Sequence, residues 1–160
     1  MDPIFKAATG GRIFVGGERA ANDLGLLKDH GVTHVVNCTD NIKNFFEGRG
    51  MTYLKFNVSF WSRSVRDSKS CADFLRPMIS FVEAALERGE SVLVHCLAGA
   101  HRAGTTGCIL LMHFAGMPME GAVRTAQTLR PVIQPIGSFP QLLGHVSAVP
   151  RLEDGRLAVV

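Results

Sequence analysis

The sequence predicts an α/β fold: a single domain with a central, mostly parallel sheet flanked by helices. Three observations predict it. Short β-type runs (RIFVGG, THVVNC, MTYLKFNV, SVLVH) alternate with segments of helical periodicity, the pattern of strands joined by crossover helices. THVVNC is apolar and β-branched on both faces, as expected of a strand covered on both sides. The chain has 160 residues, 46% of them hydrophobic, which suits one continuous core, and no repeat, low-complexity tract or linker divides it.

Taken in order, Arg12 to Gly17 is a short strand closed by glycines, and Asn22 is placed to cap a helix that runs to about Asp29 and stops at Gly31. Thr33 to Cys38 is the second strand. Met51 to Val58 is the third, with Leu54, Phe56 and Val58 on one face. The aperiodic segment SFWSRSVRDSKS, Ser59 to Ser70, is long for a connection and reads as a functional or mobile loop. Ser70 with Asp73 resembles a capping box, followed by Phe74, Met78, Val82 and Ala85 at helical spacing. Pro77 marks a kink or a late start, and Gly89 the stop. Ser91 to His95 is the next strand. Helices are expected over 103–115, Met119 to Leu129, and about Phe139 to His145, with RPVIQP between the last two. RLEDGRLAVV reads as a loose tail, so the domain spans 1–150 and the tail 151–160.

Composition excludes several classes. The N-terminus MDPIFKAATGGR has no apolar stretch suited to a secretory signal, and the segment from Ala103 to Met119 is too interrupted for a membrane span; a soluble, cytoplasmic protein is expected. The cysteines at 38, 71, 96 and 108 form no CxxC pair and the histidines show no zinc spacing, so neither a metal nor another cofactor is expected. A net charge of +3 is too small to indicate nucleic-acid binding. It is unevenly spread: Lys55, Arg63, Arg66, Lys69 and Arg76 outweigh Asp67 and Asp73 in one segment. That segment is either a solvated loop or the border of an anion site.

The chemistry concentrates in VLVHCLAGAHRAG, residues 92 to 104. Ligands of parallel sheets bind beyond the carboxyl ends of strands, and Cys96 lies at such an end. A turn of Leu97, Ala98, Gly99, Ala100 and His101 between strand and helix can aim successive backbone N–H groups at an anion, and its small residues leave that nest open. Arg102 offers a fork to two equatorial phosphoryl oxygens, and opening an otherwise apolar helix with a guanidinium is costly unless an anion partners it. A thiol beside a helix N-terminus and a guanidinium is expected to titrate below its free value of about 8.5. Cys96 is thus placed to attack phosphorus, with the nest and Arg102 holding the charge.

Here the chain resembles a known family. His95, Cys96, five residues, Arg102 and Gly104 match the H-C-x5-R-x-G signature of cysteine-dependent protein tyrosine phosphatases. IFVGGERAANDLGLLKDHGVTHVVN, VLVHC and RPVIQP are similar to the small dual-specificity branch, over about residues 12 to 145. The resemblance implies a dual-specificity phosphatase-like fold, Cys96 as nucleophile, Leu97 to Arg102 as the phosphate loop and His95 as its support. It implies phosphoserine, phosphothreonine or phosphotyrosine proteins as substrates, although some relatives act on phosphoinositides, glucans or RNA 5′ ends. Arg63, Arg66 and Lys69 would favour polyanionic substrates if they border the pocket.

Two positions depart from the pattern. The family's proton-donating aspartate falls near Phe60, so Asp67, the carboxylate of that loop, becomes the candidate acid or else a surface charge. Ala103 replaces the usual hydroxyl after the arginine, leaving Thr105 or Thr106 as substitutes and slow turnover as the expectation. These departures keep open a pseudophosphatase that captures phosphorylated partners; a rhodanese-like or arsenate-reductase-like enzyme fits the segments around the loop less well. Cys38 ends a strand expected beside VLVHC, so it is either a buried structural thiol or close enough to Cys96 for a disulfide.

Overall fold

The computed structural model describes residues 1–159 and bears out the α/β class. The strands are β1 (Asp2–Lys6), β2 (Arg12–Gly16), β3 (Val32–Asn37), β4 (Thr52–Lys55) and β5 (Ser91–His95), and they form one sheet in the order β1-β2-β5-β3-β4. β1 pairs with β2 antiparallel, and the remaining pairs are parallel. β5 is central and buried along its whole length. Its side chains alternate between two cores. Val92, Val94 and Cys96 face the larger one with Ile13, Val15 and Val36, while Leu93 faces the smaller one with Phe14, Leu27 and Val35. The larger face is covered by α3 (Ser68–Glu87), α4 (Arg102–Phe114), α5 (Met119–Leu129) and α6 (Phe139–Ser147); the smaller by α1 (Glu18–Ala21) and α2 (Leu24–Asp29). Among the described residues no helix is long and apolar enough to cross a membrane.

Five expectations change. β1 was not anticipated, because DPIFK buries only Ile4 and carries Pro3, tolerated here since the strand lies at the sheet edge. The cap of α2 is Asp23, not Asn22: the Asp23 carboxylate accepts from Leu26 N at 3.0 Å. The capping box of α3 is Asp67 with Ser70, three residues earlier than Ser70 with Asp73, and Pro77 lies inside the helix, not at its start. The segment after β4 is held rather than loose. It forms a 3-10 turn over Val58–Arg63 that buries Val58 and Trp61, and Trp61 Nε1 donates to Ser138 Oγ at 3.1 Å.

The fifth change concerns the tail. Leu157 and Val159 are buried, Leu157 N donates to His113 Nδ1 at 3.2 Å, and Arg151 Nη1 donates to Met112 O at 2.8 Å. Arg156 pairs with Glu83 at 2.6 Å. The described part of 151–160 therefore packs on α3 and α4, which alternation in so short an apolar stretch did not reveal.

Candidate active site

β5 carries His95 and Cys96 to the carboxyl edge of the sheet, where its neighbours end in step: Gly16 of β2 and Asn37 of β3 both pair with His95. The chain then turns through Leu97 to His101 before Arg102 opens α4. Gly99 sits at φ +68°, and a Cβ there would lie 2.5 Å from Gly16 O. Gly17 is equally constrained, since a Cβ there would come 2.7 Å from Leu97 O. Only glycine permits this approach of β2 to the loop.

Every carbonyl from Cys96 to His101 has a donor outside the loop's concave side. Cys96 O lies 3.3 Å from His95 Nδ1, Leu97 O accepts from Glu18 N at 2.9 Å, and Ala100 O accepts from Gln134 N at 2.9 Å. Ala98 O and Gly99 O both accept from Arg130, each at 3.0 Å, and His101 O accepts from Thr105 N at 2.9 Å as the first bond of α4. A trans peptide opposes its C=O and N–H, so outward carbonyls turn the N–H groups of Leu97, Ala98, Gly99, Ala100 and His101 inward. One of them points at the cysteine: Gly99 N lies 3.2 Å from Cys96 Sγ. The result is an anion nest with a buried sulfur at its floor.

His95 is fully buried, and that burial pushes its pKa down to about 4, helped by the charges of Arg102 and Lys55. It is therefore neutral near pH 7, with the Nδ1 proton donated to Cys96 O. Arg102, half-buried, makes no ion pair among the described residues, which leaves its fork for a ligand. Leu97 and His101 are exposed on the rim, and His101 Nδ1 is tied to Gln134 O at 2.8 Å.

Cys38 lies where strand adjacency placed it. Its N–H donates to His95 O at 2.9 Å, and its thiol bonds Thr106 Oγ1 at 3.4 Å. Burial pushes that thiol up to about 12, and the nearby Cys96 charge adds to the effect. The thiol is thus protonated and poorly nucleophilic. Thr106 Oγ1 donates to Arg102 O at 3.0 Å, and Thr105 Oγ1 is buried without a partner among the described residues. Neither hydroxyl is hydrogen-bonded to Cys96.

Asp67 is the N-cap of α3. Its carboxylate accepts from Ser70 N at 2.8 Å and Ser70 Oγ at 2.8 Å, and these bonds hold its pKa below the ordinary carboxylate range. Phe60, where the acid would align, stacks under the Arg63 guanidinium at 4.2 Å. Arg63, Arg66 and Lys69 are all exposed. The loop partner that sequence reasoning missed is Arg130, although its motif RPVIQP had been singled out; nothing local says that its guanidinium reaches a loop 31 residues earlier.

The model of the dual specificity phosphatase catalytic domain matches residues 13–147. The chain is 31% identical over 135 residues to human dual specificity protein phosphatase 21, covering 83% of this chain and 67% of that protein. It is 32% identical over 127 residues to mouse protein phosphatase Slingshot homolog 3, covering 79% of this chain and 19% of that protein. The chain spans between 18% and 34% of the length of the first curated relatives it matches. Among solved structures, human DUSP28 superposes with a TM-score of 0.73 at 24% identity, covering 92% of this chain and 95% of that one. A mouse putative dual specificity phosphatase complexed with zinc tungstate gives 0.71 at 27% identity, covering 88% of this chain and 83% of that one. A signature loop folded as an anion nest, set in this sheet order and matched along most of its length, makes this chain a member of the dual specificity phosphatase catalytic-domain family.

Proposed function

We propose that the domain hydrolyses phosphomonoesters of proteins through a phosphocysteine at Cys96. The observation that carries this is the loop itself: its carbonyls point outward and the Gly99 N–H points at Cys96 Sγ. The thiolate attacks phosphorus, the bond from phosphorus to the ester oxygen breaks, and the departing oxygen takes a proton from solvent. Inward N–H groups and Arg102 hold the three equatorial oxygens. Water then attacks phosphorus, the S–P bond breaks, phosphate leaves and the thiolate returns. The tungstate in the mouse relative is an oxyanion of the kind such a loop receives. Asp67, capping α3, is given no proton transfer in this scheme. Four free, buried cysteines fit a reducing cytoplasm.

Release of phosphate from an aryl phosphate tests the reading. Cys96→Ser is expected to abolish turnover yet keep tungstate binding, and Arg102→Lys to lose most activity, since a point charge cannot reproduce a fork. If exposed Arg63, Arg66 and Lys69 border the site, doubly phosphorylated peptides are turned over in preference to singly phosphorylated ones, a preference that shrinks with salt. Undiminished turnover in Cys96→Ser overturns the mechanism. Tungstate binding without turnover in the wild type would instead indicate a phosphate-binding module, the reading favoured by Phe60 in the acid's place.

A further inference from the structure

We infer that Arg130 is a positioning residue for the phosphate loop, and that Asp2 orients it. The inference rests on the reading of that loop as an oxyanion site. Arg130 follows the last residue of α5, and its guanidinium divides its donors between two partners. Nε donates to Gly99 O at 3.0 Å and Nη2 to Ala98 O at 3.0 Å, while Nη1 donates to Asp2 Oδ2 at 2.8 Å. The Arg130 side chain is 15% exposed and that of Asp2 43%.

The two carbonyls held by Arg130 are the ones that matter for the sulfur. Ala98 O shares its peptide with the Gly99 N–H, so pinning Ala98 O outward aims that N–H at Cys96 Sγ, 3.2 Å away. Gly99 O shares its peptide with the Ala100 N–H, which Arg130 turns into the nest in the same way. These peptides flank a glycine at φ +68°, a residue whose backbone has alternatives close in energy. The loop therefore needs an external restraint there, and a planar fork supplies two parallel bonds where a lysine supplies a single point. Asp2 takes the third donor direction and fixes the plane of the fork. With its Asp2 end 43% exposed, the ion pair adds little to global stability, so its effect is on geometry.

This links the first strand to the chemistry.

The test compares wild type with Arg130→Met, Arg130→Lys and Asp2→Asn. Its readouts are tungstate affinity by calorimetry, the pH midpoint of Cys96 alkylation by iodoacetamide, and the melting temperature. Arg130→Met is expected to weaken tungstate at least tenfold and move the alkylation midpoint upward. Arg130→Lys is expected to recover only a minor part of both, and Asp2→Asn to weaken tungstate a few-fold with no change in melting. A merely structural arginine would lower the melting temperature and leave the alkylation midpoint of the folded protein where it was. Wild-type tungstate affinity and alkylation midpoint in Arg130→Lys overturn the inference even if Arg130→Met does not fold. Wild-type affinity in Asp2→Asn overturns the part assigned to Asp2. Failure of the wild type to bind tungstate would instead reject the oxyanion reading on which the inference rests.

Discussion

Asp67 is a carboxylate on which two roles converge, proton donor and helix cap, and the structure shows the capping bonds. Held by Ser70 N and Ser70 Oγ, it keeps its proton affinity low, so it stabilises α3 above its unfolded pKa and loses that contribution as pH falls through the depressed folded value. Asp67→Asn is expected to lower the melting temperature by a few degrees at most and to leave activity nearly unchanged, for poor and good leaving groups alike. A loss of activity that steepens with leaving-group pKa would restore Asp67 as the acid. The residues legible in the sequence were those whose spacing alone states a purpose: Cys96, Gly99 and Arg102 lie within one turn, and that turn folds as they require. Arg130 and Asp2 were not legible. They meet across 128 positions of chain, and neither residue type is unusual where it stands.

At the scale of elements, hydrophobic period and turn residues placed β2, β3, β5 and the long helices, because those segments bury one face or both within a single core. Where burial depends on a distant partner the period fails. The 3-10 turn over Val58–Arg63 is anchored by Trp61 to Ser138, and the tail from Arg151 onward is fastened to α4 through His113. That second anchor has a pH dependence. His113 Nδ1 accepts the Leu157 N–H, and burial, aided by the charge of Arg156, pushes its pKa down to about 4. Protonation would take the acceptor away. Because the folded value lies below the ordinary 6.5, the unfolded chain binds more protons between the two, and stability falls as pH drops from about 6.5 toward 4. His95, also pushed down to about 4, acts in the same direction. Urea midpoints measured across this window should decline as pH is lowered. In His113→Gln the decline should be shallower; an unchanged slope would detach the tail from His113.

For the whole molecule, one sheet order brings Gly16, Asn37 and His95 to a common edge, the glycines let the loop fold back on β2, and α4 and the segment after α5 close it from the other side. For the proposed phosphocysteine step this frame supplies a buried thiol, inward N–H groups and a guanidinium, with Phe60 where the acid would align. The machinery for breaking the phosphocysteine is thinner, because Ala103 has no hydroxyl, Thr106 spends its proton on Arg102 O, and Thr105 is not bonded to Cys96. Hydrolysis is therefore expected to limit turnover. The most direct measurement is rapid acid quench of the protein mixed with an aryl phosphate, followed by mass mapping of the peptide that contains Cys96. A burst of leaving group near one equivalent, accompanied by one phosphoryl group on Cys96 and absent from Cys96→Ser, is the expected result; release of phosphate with no modified Cys96 at any quench time would contradict the mechanism.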